Sequence, residues 1–169
     1  MTKRAVQPIE SETVRLRLLE EADLEMTLGW RNQDEIRRWF YTSGLLTFEQ
    51  HHNWVLNSYM PRDNDFIFVI ESKSLGMPVG QISLYDIDFA KRRGEYGRVM
   101  IGDPAASGKG IAREATRLIL RFAFETLGLD EVYLSVFADN ERAIHLYKAC
   151  GFLVDGQEDG SLKMSINRA

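Results

Sequence analysis

The sequence is poor in cysteine, with Cys150 as the single example among 169 residues, and it contains only four prolines. One cysteine excludes a disulfide framework within the chain and is typical of proteins from a reducing compartment. No apolar run approaches the ~20 residues that a membrane-spanning helix needs. The start, MTKRAVQPIESE, also lacks the apolar core of a signal peptide. We therefore expect a cytoplasmic protein without a membrane partner.

An excess of basic charge is also missing, since 21 lysines and arginines face 25 acids and the net charge is −4. The two signs are interspersed, which excludes a basic surface for nucleic acid. We expect no nucleic-acid partner and no bound metal. With 44% hydrophobic residues, the chain is long enough to bury one core. The sequence therefore predicts a single domain over residues 1–169, with residues 1–11 as a loose tail.

The hydrophobic pattern predicts the element order β-α-α-α-β-β-β-α-β-α-β-β. The strict alternation from Val14 to Leu18 indicates a half-buried strand, and the continuous apolar run 66–70 indicates a fully buried one. Thr47 with Gln50 three residues later is a capping-box pattern at the start of a helix. Such an order is typical of a mixed α/β layer fold.

One stretch, 94–124, joins a strand to a long helix through a loop of small residues, AASGKG at 105–110. The glycines allow positive φ, and the helix beginning near Ile111 directs its unpaired N–H groups and dipole into the loop. This junction is suited to a phosphate or pyrophosphate, although packing alone also produces such turns. Neither a P-loop nor a dinucleotide fingerprint fits, because Ile111 and Ala112 follow Gly110 and the third glycine is missing.

A second stretch, 138–152, follows an apolar strand and predicts a capped helix. Asp139 or Asn140 is a good N-cap residue, and Gly151 is suited to the position just after the helix. Asn140 and Tyr147 are seven residues apart, so they share one helix face. The late position of Cys150 in this helix favours a structural thiol over a nucleophile.

Together, the two stretches resemble the GCN5-related N-acetyltransferases. The segment 107–112 is similar to that family's (Gln/Arg)-x-x-Gly-x-(Gly/Ala) pyrophosphate loop, with Gly110 and Ala112 at the small positions and Ser107 in place of Gln or Arg. The segment from Asn140 is similar to the family's Asn-x-x-Ala-x-x-x-Tyr-x-x-x-Gly-Phe pattern. The resemblance implies an α/β fold with a twisted mixed sheet of about seven strands, flanked by helices, and a V-shaped gap between the central strands.

The resemblance also implies acetyl-CoA as the donor, a primary amine as the acceptor, and direct transfer through a tetrahedral intermediate. The coenzyme contacts implied are Met100, Ile101, Ser107, Gly108, Lys109, Gly110, Ile111, Ala112, Asn140 and Tyr147. Tyr147 matches the family's general acid near the sulfur, with packing of the helix as the alternative. Glu95 falls where some members carry a base acting through water; the alternative is a surface acid at the end of a strand.

The acceptor side is predicted from the run 35–41 and the segment 47–54, which resemble nucleotide-sugar N-acetyltransferases of the pseudaminic and legionaminic acid type. That resemblance implies a UDP-linked 4-amino sugar. The alternatives are a ribosomal-protein-type N-terminal acetyltransferase and a non-catalytic acyl-CoA-binding module. Flat aromatic rings can stack on a base and an arginine can bind a diphosphate, although Trp39 and Phe40 also suit a core. The predicted acceptor residues are Arg38, Trp39, Phe40, Tyr41 and His52, in a monomer or homodimer.

Overall fold

A computed structural model describes residues 6–169, which form eight strands and five α-helices. The strands are β1 (Ile9–Glu10), β2 (Val14–Leu18), β3 (Phe66–Ser72), β4 (Met77–Asp88), β5 (Arg93–Ile101), β6 (Glu131–Phe137), β7 (Leu153–Glu158) and β8 (Ser161–Asn167). The helices are α1 (Leu24–Arg31), α2 (Asp34–Arg37), α3 (Phe48–Trp54), α4 (Ile111–Arg121) and α5 (Glu141–Ala149). No helix in this part of the chain is long and apolar enough to cross a membrane.

All eight strands belong to one sheet with the order β1-β2-β3-β4-β5-β6-β8-β7. Every neighbouring pair is antiparallel except β5 and β6, which are parallel and are connected through α4. The mixed α/β fold predicted from the sequence is confirmed, with eight strands rather than about seven. The additional strand is β1, where Ile9 pairs with Leu16 of β2, so this part of the predicted tail is ordered sheet. Residues 1–5 of that tail lie outside the described residues.

The strand β3 separates two hydrophobic clusters, which explains its continuous apolar sequence. Phe66 and Phe68 point to the larger cluster, where both rings meet Phe122 edge-on at 5.5 and 5.3 Å. Ile67 and Val69 point to a smaller cluster beneath α1 and α3. Because successive side chains of a strand alternate between faces, helices cover this strand on both sides.

The N-cap residues predicted from the sequence lie at the observed beginnings of the helices. Thr47 and Gln50 form a reciprocal capping box at α3, and Asn140 caps α5 by accepting from the N–H of Ala143. Gly110 is the N-cap residue of α4, in a left-handed conformation. These caps fix where α4 and α5 begin relative to the sheet, and both beginnings lie beside the central strands.

Candidate active site

The central strands β5 and β6 separate part-way along their length. They pair at three register positions, the last of which is Glu95 opposite Tyr133. Beyond that point β5 continues to Ile101 and β6 to Phe137 without pairing to one another. A gap therefore opens between the two strands, which confirms the V-shaped gap predicted for the sheet.

A β-bulge in β5 lies at the point of separation. Gln81 pairs with Met100 and Ser83 with Gly97, so β5 holds one residue more than β4 between these pairs. Arg98 lies within the bulge, with φ of 51°. A bulge bends its strand and increases the local twist, so it directs β5 away from β6.

The gap contains a cavity of about 250 Å³ lined from β4, β5, β6, α5 and the loop 39–42. Glu95 of β5 and Tyr147 of α5 both line it, together with Asn140. Val99, rather than Met100 or Ile101, is the lining residue on the last part of β5. The fold thus brings the two predicted proton-transfer residues to one cavity from separate elements.

The loop before α4 is open to a ligand and has the conformation that its glycines predict. Gly108 and Gly110 both have φ of 72°, a region that side chains rarely adopt. A Cβ added to either glycine would meet no protein atom within 4 Å, so backbone conformation rather than packing requires them. Within residues 6–169, the N–H groups of 108–110 donate to no protein acceptor. With the unpaired N–H groups of the first turn of α4, they form a cradle that fits a pyrophosphate.

The beginning of this loop is held against α1. Trp30 packs on Gly102 so closely that a Cβ at Gly102 would overlap the indole ring. The side chain of Gln33 also donates to the carbonyl of Gly102 at 2.9 Å. Ile111 is buried at the other end of the loop, whereas Ser107 and Lys109 are exposed. The loop is therefore anchored at both ends and accessible in the middle.

Tyr147 is buried in an aromatic cluster below the cavity. Its ring meets Tyr96 edge-on with centroids 5.3 Å apart, and Phe152 lies 6.0 Å away. Burial raises the pKa of Tyr147 to about 12. The phenol consequently keeps its proton at neutral pH and can donate a hydrogen bond.

Glu95 is half-buried at the closed end of the gap. The hydroxyl of Tyr85 donates to its carboxylate at 2.9 Å. Burial raises the pKa of Glu95, an effect that the hydrogen bond from Tyr85 partly offsets. A carboxylate whose pKa is raised toward neutrality is better matched to accepting a proton from an amine.

Aromatic residues of the loop 39–42 form one wall of the cavity. Trp39 and Tyr41 both pack on Phe137 of β6, with centroids at 6.4 and 4.7 Å. Tyr41 is 64% exposed, and its hydroxyl is 2.9 Å from the hydroxyl of Ser161. Phe40 also lines the cavity. The three consecutive aromatics therefore line the same cavity as Glu95 and Tyr147, and their role toward an acceptor stays a prediction.

Two predicted acceptor residues do not line this cavity. His52 lies 3.0 Å from the carboxylate of Glu21 and stacks on Phe48. Both of these contacts lie outside the set of residues that line the gap. Arg38 is also absent from the lining, and its guanidinium carbon lies 4.6 Å from the centroid of the Trp39 ring. The structure therefore separates His52 from the other predicted site residues.

The sequence reading missed Tyr85 and Arg98, which both line the cavity. Tyr85 meets Glu95 only because the two are register partners on β4 and β5. Arg98 binds Asp65, 33 positions away in the chain. No local pattern signals either contact, since both depend on strand register.

The fold and this site define a coenzyme-dependent transferase, and comparison with known proteins identifies the family. The family model described as an acetyltransferase (GNAT) domain matches residues 13–153, so the chain belongs to this family. It is therefore an N-acetyltransferase that uses acetyl-CoA as donor. No cluster of three or more His, Cys, Asp or Glu suited to a metal occurs within residues 6–169.

Relatives with different acceptors share this fold. The chain is 30% identical over 147 residues to spermidine N(1)-acetyltransferase of Escherichia coli K12, which covers 87% of this chain and 76% of that protein. The structure of spermidine N-acetyltransferase from Vibrio cholerae in complex with CoA and spermine matches with a TM-score of 0.82 and 26% identity, over 93% of this chain and 96% of that chain. FdhC, described as a nucleotide-linked sugar GNAT, matches with a TM-score of 0.83 over 95% of this chain and 90% of that one. Its identity is 22%, so this last likeness concerns the fold alone.

Proposed function

We propose that this N-acetyltransferase acetylates the amine of a nucleotide-linked amino sugar, with UDP-4-amino sugars as the first substrates to test. The observation that carries the proposal is the aromatic wall of the cavity, formed by Trp39, Phe40 and Tyr41 beside Glu95. A nucleobase gains about 1–3 kcal/mol from stacking on an aromatic side chain. The guanidinium of Arg38 lies over the ring of Trp39, and we assign it to the diphosphate because a guanidinium can bind phosphate oxygens at two points.

The charges of the cavity also support an acceptor that is not a polycation. Glu95 is the one carboxylate among the described lining residues, and the charge of the lining residue Arg98 is already paired with Asp65. Lys163 lies close enough to lower the pKa of Glu95. A polyamine carries several ammonium groups, and binding it in a partly buried site requires a carboxylate for each buried charge. A diphosphate does not need carboxylate partners of this kind.

A polyamine is the second candidate, because the relatives named above include spermidine N-acetyltransferases. It would bind with its reacting amine at Glu95 and its remaining ammonium groups outside the cavity. The two candidates differ in what they require of the aromatic wall. A base stacked on Phe40 and Tyr41 gains about 1–3 kcal/mol from the rings, whereas an exposed ammonium gains only about 0.5–1 kcal/mol from an aromatic face.

We assign the donor side to the loop 107–112, which would hold the pyrophosphate of acetyl-CoA through its backbone N–H groups. The coenzyme supplies the acetyl thioester. Glu95, directly or through water, takes the proton that the acceptor ammonium must lose before its nitrogen can attack. The hydrogen bond from Tyr85 holds the receiving carboxylate in place.

Tyr147 is assigned to the sulfur, as a hydrogen-bond donor. Its pKa is about 12, against about 8.5 for an alkyl thiol such as that of cysteine. Because the phenol keeps its proton at neutral pH, it can donate a hydrogen bond to the sulfur as negative charge develops there. The attacking nitrogen loses its second proton as the amide forms, and the sulfur takes up a proton and leaves as the coenzyme thiol. One such donor aimed at developing charge accelerates a reaction about 10²- to 10³-fold.

The test compares thiol release with a UDP-4-amino sugar, the free amino sugar, spermidine and a ribosomal N-terminal peptide. We expect the highest kcat/KM with the nucleotide sugar. Phe40→Ala or Tyr41→Ala should raise its KM about 5- to 150-fold, the equivalent of 1–3 kcal/mol of stacking, without changing acetylation of the free sugar. Phe48→Ala is the matched control, because Phe48 is an exposed aromatic outside the cavity.

Three results would contradict the proposal in different ways. Preference for spermidine that is insensitive to both wall variants would establish the polyamine reading. Preference for the peptide would establish an N-terminal protein acetyltransferase. Binding of acetyl-CoA without thiol release for any amine would indicate an acyl-CoA-binding module.

A further inference from the structure

Tyr85 connects the proposed base to the neighbouring strand. It is the register partner of Glu95, and its hydroxyl donates to the glutamate carboxylate at 2.9 Å. Both side chains line the cavity. A hydrogen bond across two strands fixes the direction of the carboxylate, because the backbones of β4 and β5 hold both partners.

Arg98 in turn fixes the ring of Tyr85. Its guanidinium carbon lies 4.0 Å from the centroid of the Tyr85 ring and 5.0 Å from that of Trp54. Two guanidinium nitrogens bind the two carboxylate oxygens of Asp65, at 2.9 and 3.2 Å. The Asp65 side chain is 1% exposed, so this two-point contact is sheltered from water. A planar guanidinium held in such a fork has little freedom to rotate.

We propose that Tyr85 and Arg98 are positioning residues that orient Glu95 for proton acceptance, with Asp65 as the anchor of Arg98. The inference rests on the proposed function, in which Glu95 is the base. The proposal adds a series of contacts that runs from the buried Asp65 through Arg98 and Tyr85 to Glu95, which accepts the proton. The β-bulge that separates β5 from β6 also places Arg98 in this series.

The hydrogen bond from Tyr85 and the charge of Arg98 both lower the pKa of Glu95, whereas burial raises it. Removal of the Tyr85 hydroxyl should therefore raise this pKa further. A higher pKa in the base moves the acidic limb of the pH–rate profile to higher pH. The titratable or charged groups facing Glu95 are Tyr85 and Asp86 on β4, Arg98 on β5, Tyr133 on β6 and Lys163 on β8.

The experiment replaces Tyr85 by phenylalanine, which keeps the ring over Arg98 and removes only the hydroxyl. The pKa of Glu95 is measured by carbon-13 NMR of labelled glutamate, with Glu95→Gln assigning the signal. We expect a raised Glu95 pKa, and a kcat that falls about 10-fold at acidic pH with an unchanged KM for acetyl-CoA. The control is Tyr133→Phe, since Tyr133 opposes Glu95 on β6 but donates no hydrogen bond to it within the described residues.

Two readouts separate this inference from the proposed function. An unchanged Glu95 pKa in Tyr85→Phe would overturn the positioning role of Tyr85. A raised pKa with an unmoved acidic limb would overturn the assignment of Glu95 as the base, and the positioning role with it.

Arg98→Lys tests the role of Arg98. Lysine keeps the positive charge but loses the two-point contact with Asp65 and the stacking on the ring of Tyr85. We expect a raised Glu95 pKa through a loosened hydrogen bond from Tyr85. Arg93→Lys is its control, because Arg93 is on the same strand, stacks on Tyr133 and pairs with Glu131. An unchanged Glu95 pKa in Arg98→Lys would show that Arg98 does not position Glu95.

Discussion

The substitution Gly110→Ala isolates the role of the backbone in the loop before α4. Gly110 has φ of 72°, and no protein atom lies within 4 Å of the position that a Cβ would occupy. The variant therefore introduces left-handed strain of about 1–2 kcal/mol without a clash inside the protein. For a domain of this size, we expect a fall in Tm of about 2–8 °C, at about 2–4 °C per kcal/mol.

The same methyl group projects into the space that we assign to the pyrophosphate. It would displace the ligand from the N–H groups of the loop, and one hydrogen bond to a charged group contributes about 1.5–3 kcal/mol. Titration calorimetry should then show CoA and acetyl-CoA binding weakened about 10- to 150-fold, since 1.4 kcal/mol corresponds to tenfold. The thermal stabilisation given by a fixed concentration of CoA should shrink in the same variant.

Gly76→Ala provides the matched control. Gly76 lies in the turn between β3 and β4, has φ of 65° and likewise meets no protein atom within 4 Å of an added Cβ. Both variants should lose similar stability, and only Gly110→Ala should lose affinity for the coenzyme. Equal dissociation constants for CoA in the two folded variants would refute the assignment of this loop to the pyrophosphate.

Two further substitutions address the proton-transfer residues. Tyr147→Phe keeps the ring against Tyr96, so stability and acetyl-CoA affinity should be unchanged. In a thiol-release assay we expect kcat to fall about 10²-fold. An unchanged kcat would show that Tyr147 has only a packing role. Glu95→Gln removes the group whose pKa burial raises, so kcat should fall and the acidic limb of the pH–rate profile should disappear. If Glu95→Gln keeps the acidic limb of the wild-type pH–rate profile, another group accepts the proton.

Local chemistry explains which parts of the site could be predicted from the sequence. The positive φ of Gly110, the cap at Asn140 and the capping box at Thr47 each depend on residues within a few positions of one another. The buried strand β3 is equally visible, because helices on both faces require a continuous apolar run. These features fix the loop before α4 and the helix that carries Tyr147, the two parts that we assign to the donor.

Features that depend on long-range register could not be read in this way. The strand β1 has two residues, too few for a periodic pattern, and is defined by its pairing with β2. His52 was assigned to the acceptor side from its place in the sequence, but the docking of α3 turns it toward Glu21. Its neighbour His51 instead lies 3.1 Å from the hydroxyl of Thr27. A rotation of about 100° per residue decides which of two adjacent histidines faces which surface.

The division between predictable and unpredictable features follows the chemistry of the enzyme. The donor is common to the family, and the contacts that we propose for it come from two contiguous stretches, 94–112 and 138–152. The proposed acceptor side is assembled from the loop 39–42, β4, β5 and β8, which meet only in the folded sheet. Spermidine N-acetyltransferases share this fold, so in our proposal acceptor choice resides in side chains that the fold does not dictate. Those side chains are the rings of Trp39, Phe40 and Tyr41, which we propose favour an acceptor with an aromatic base.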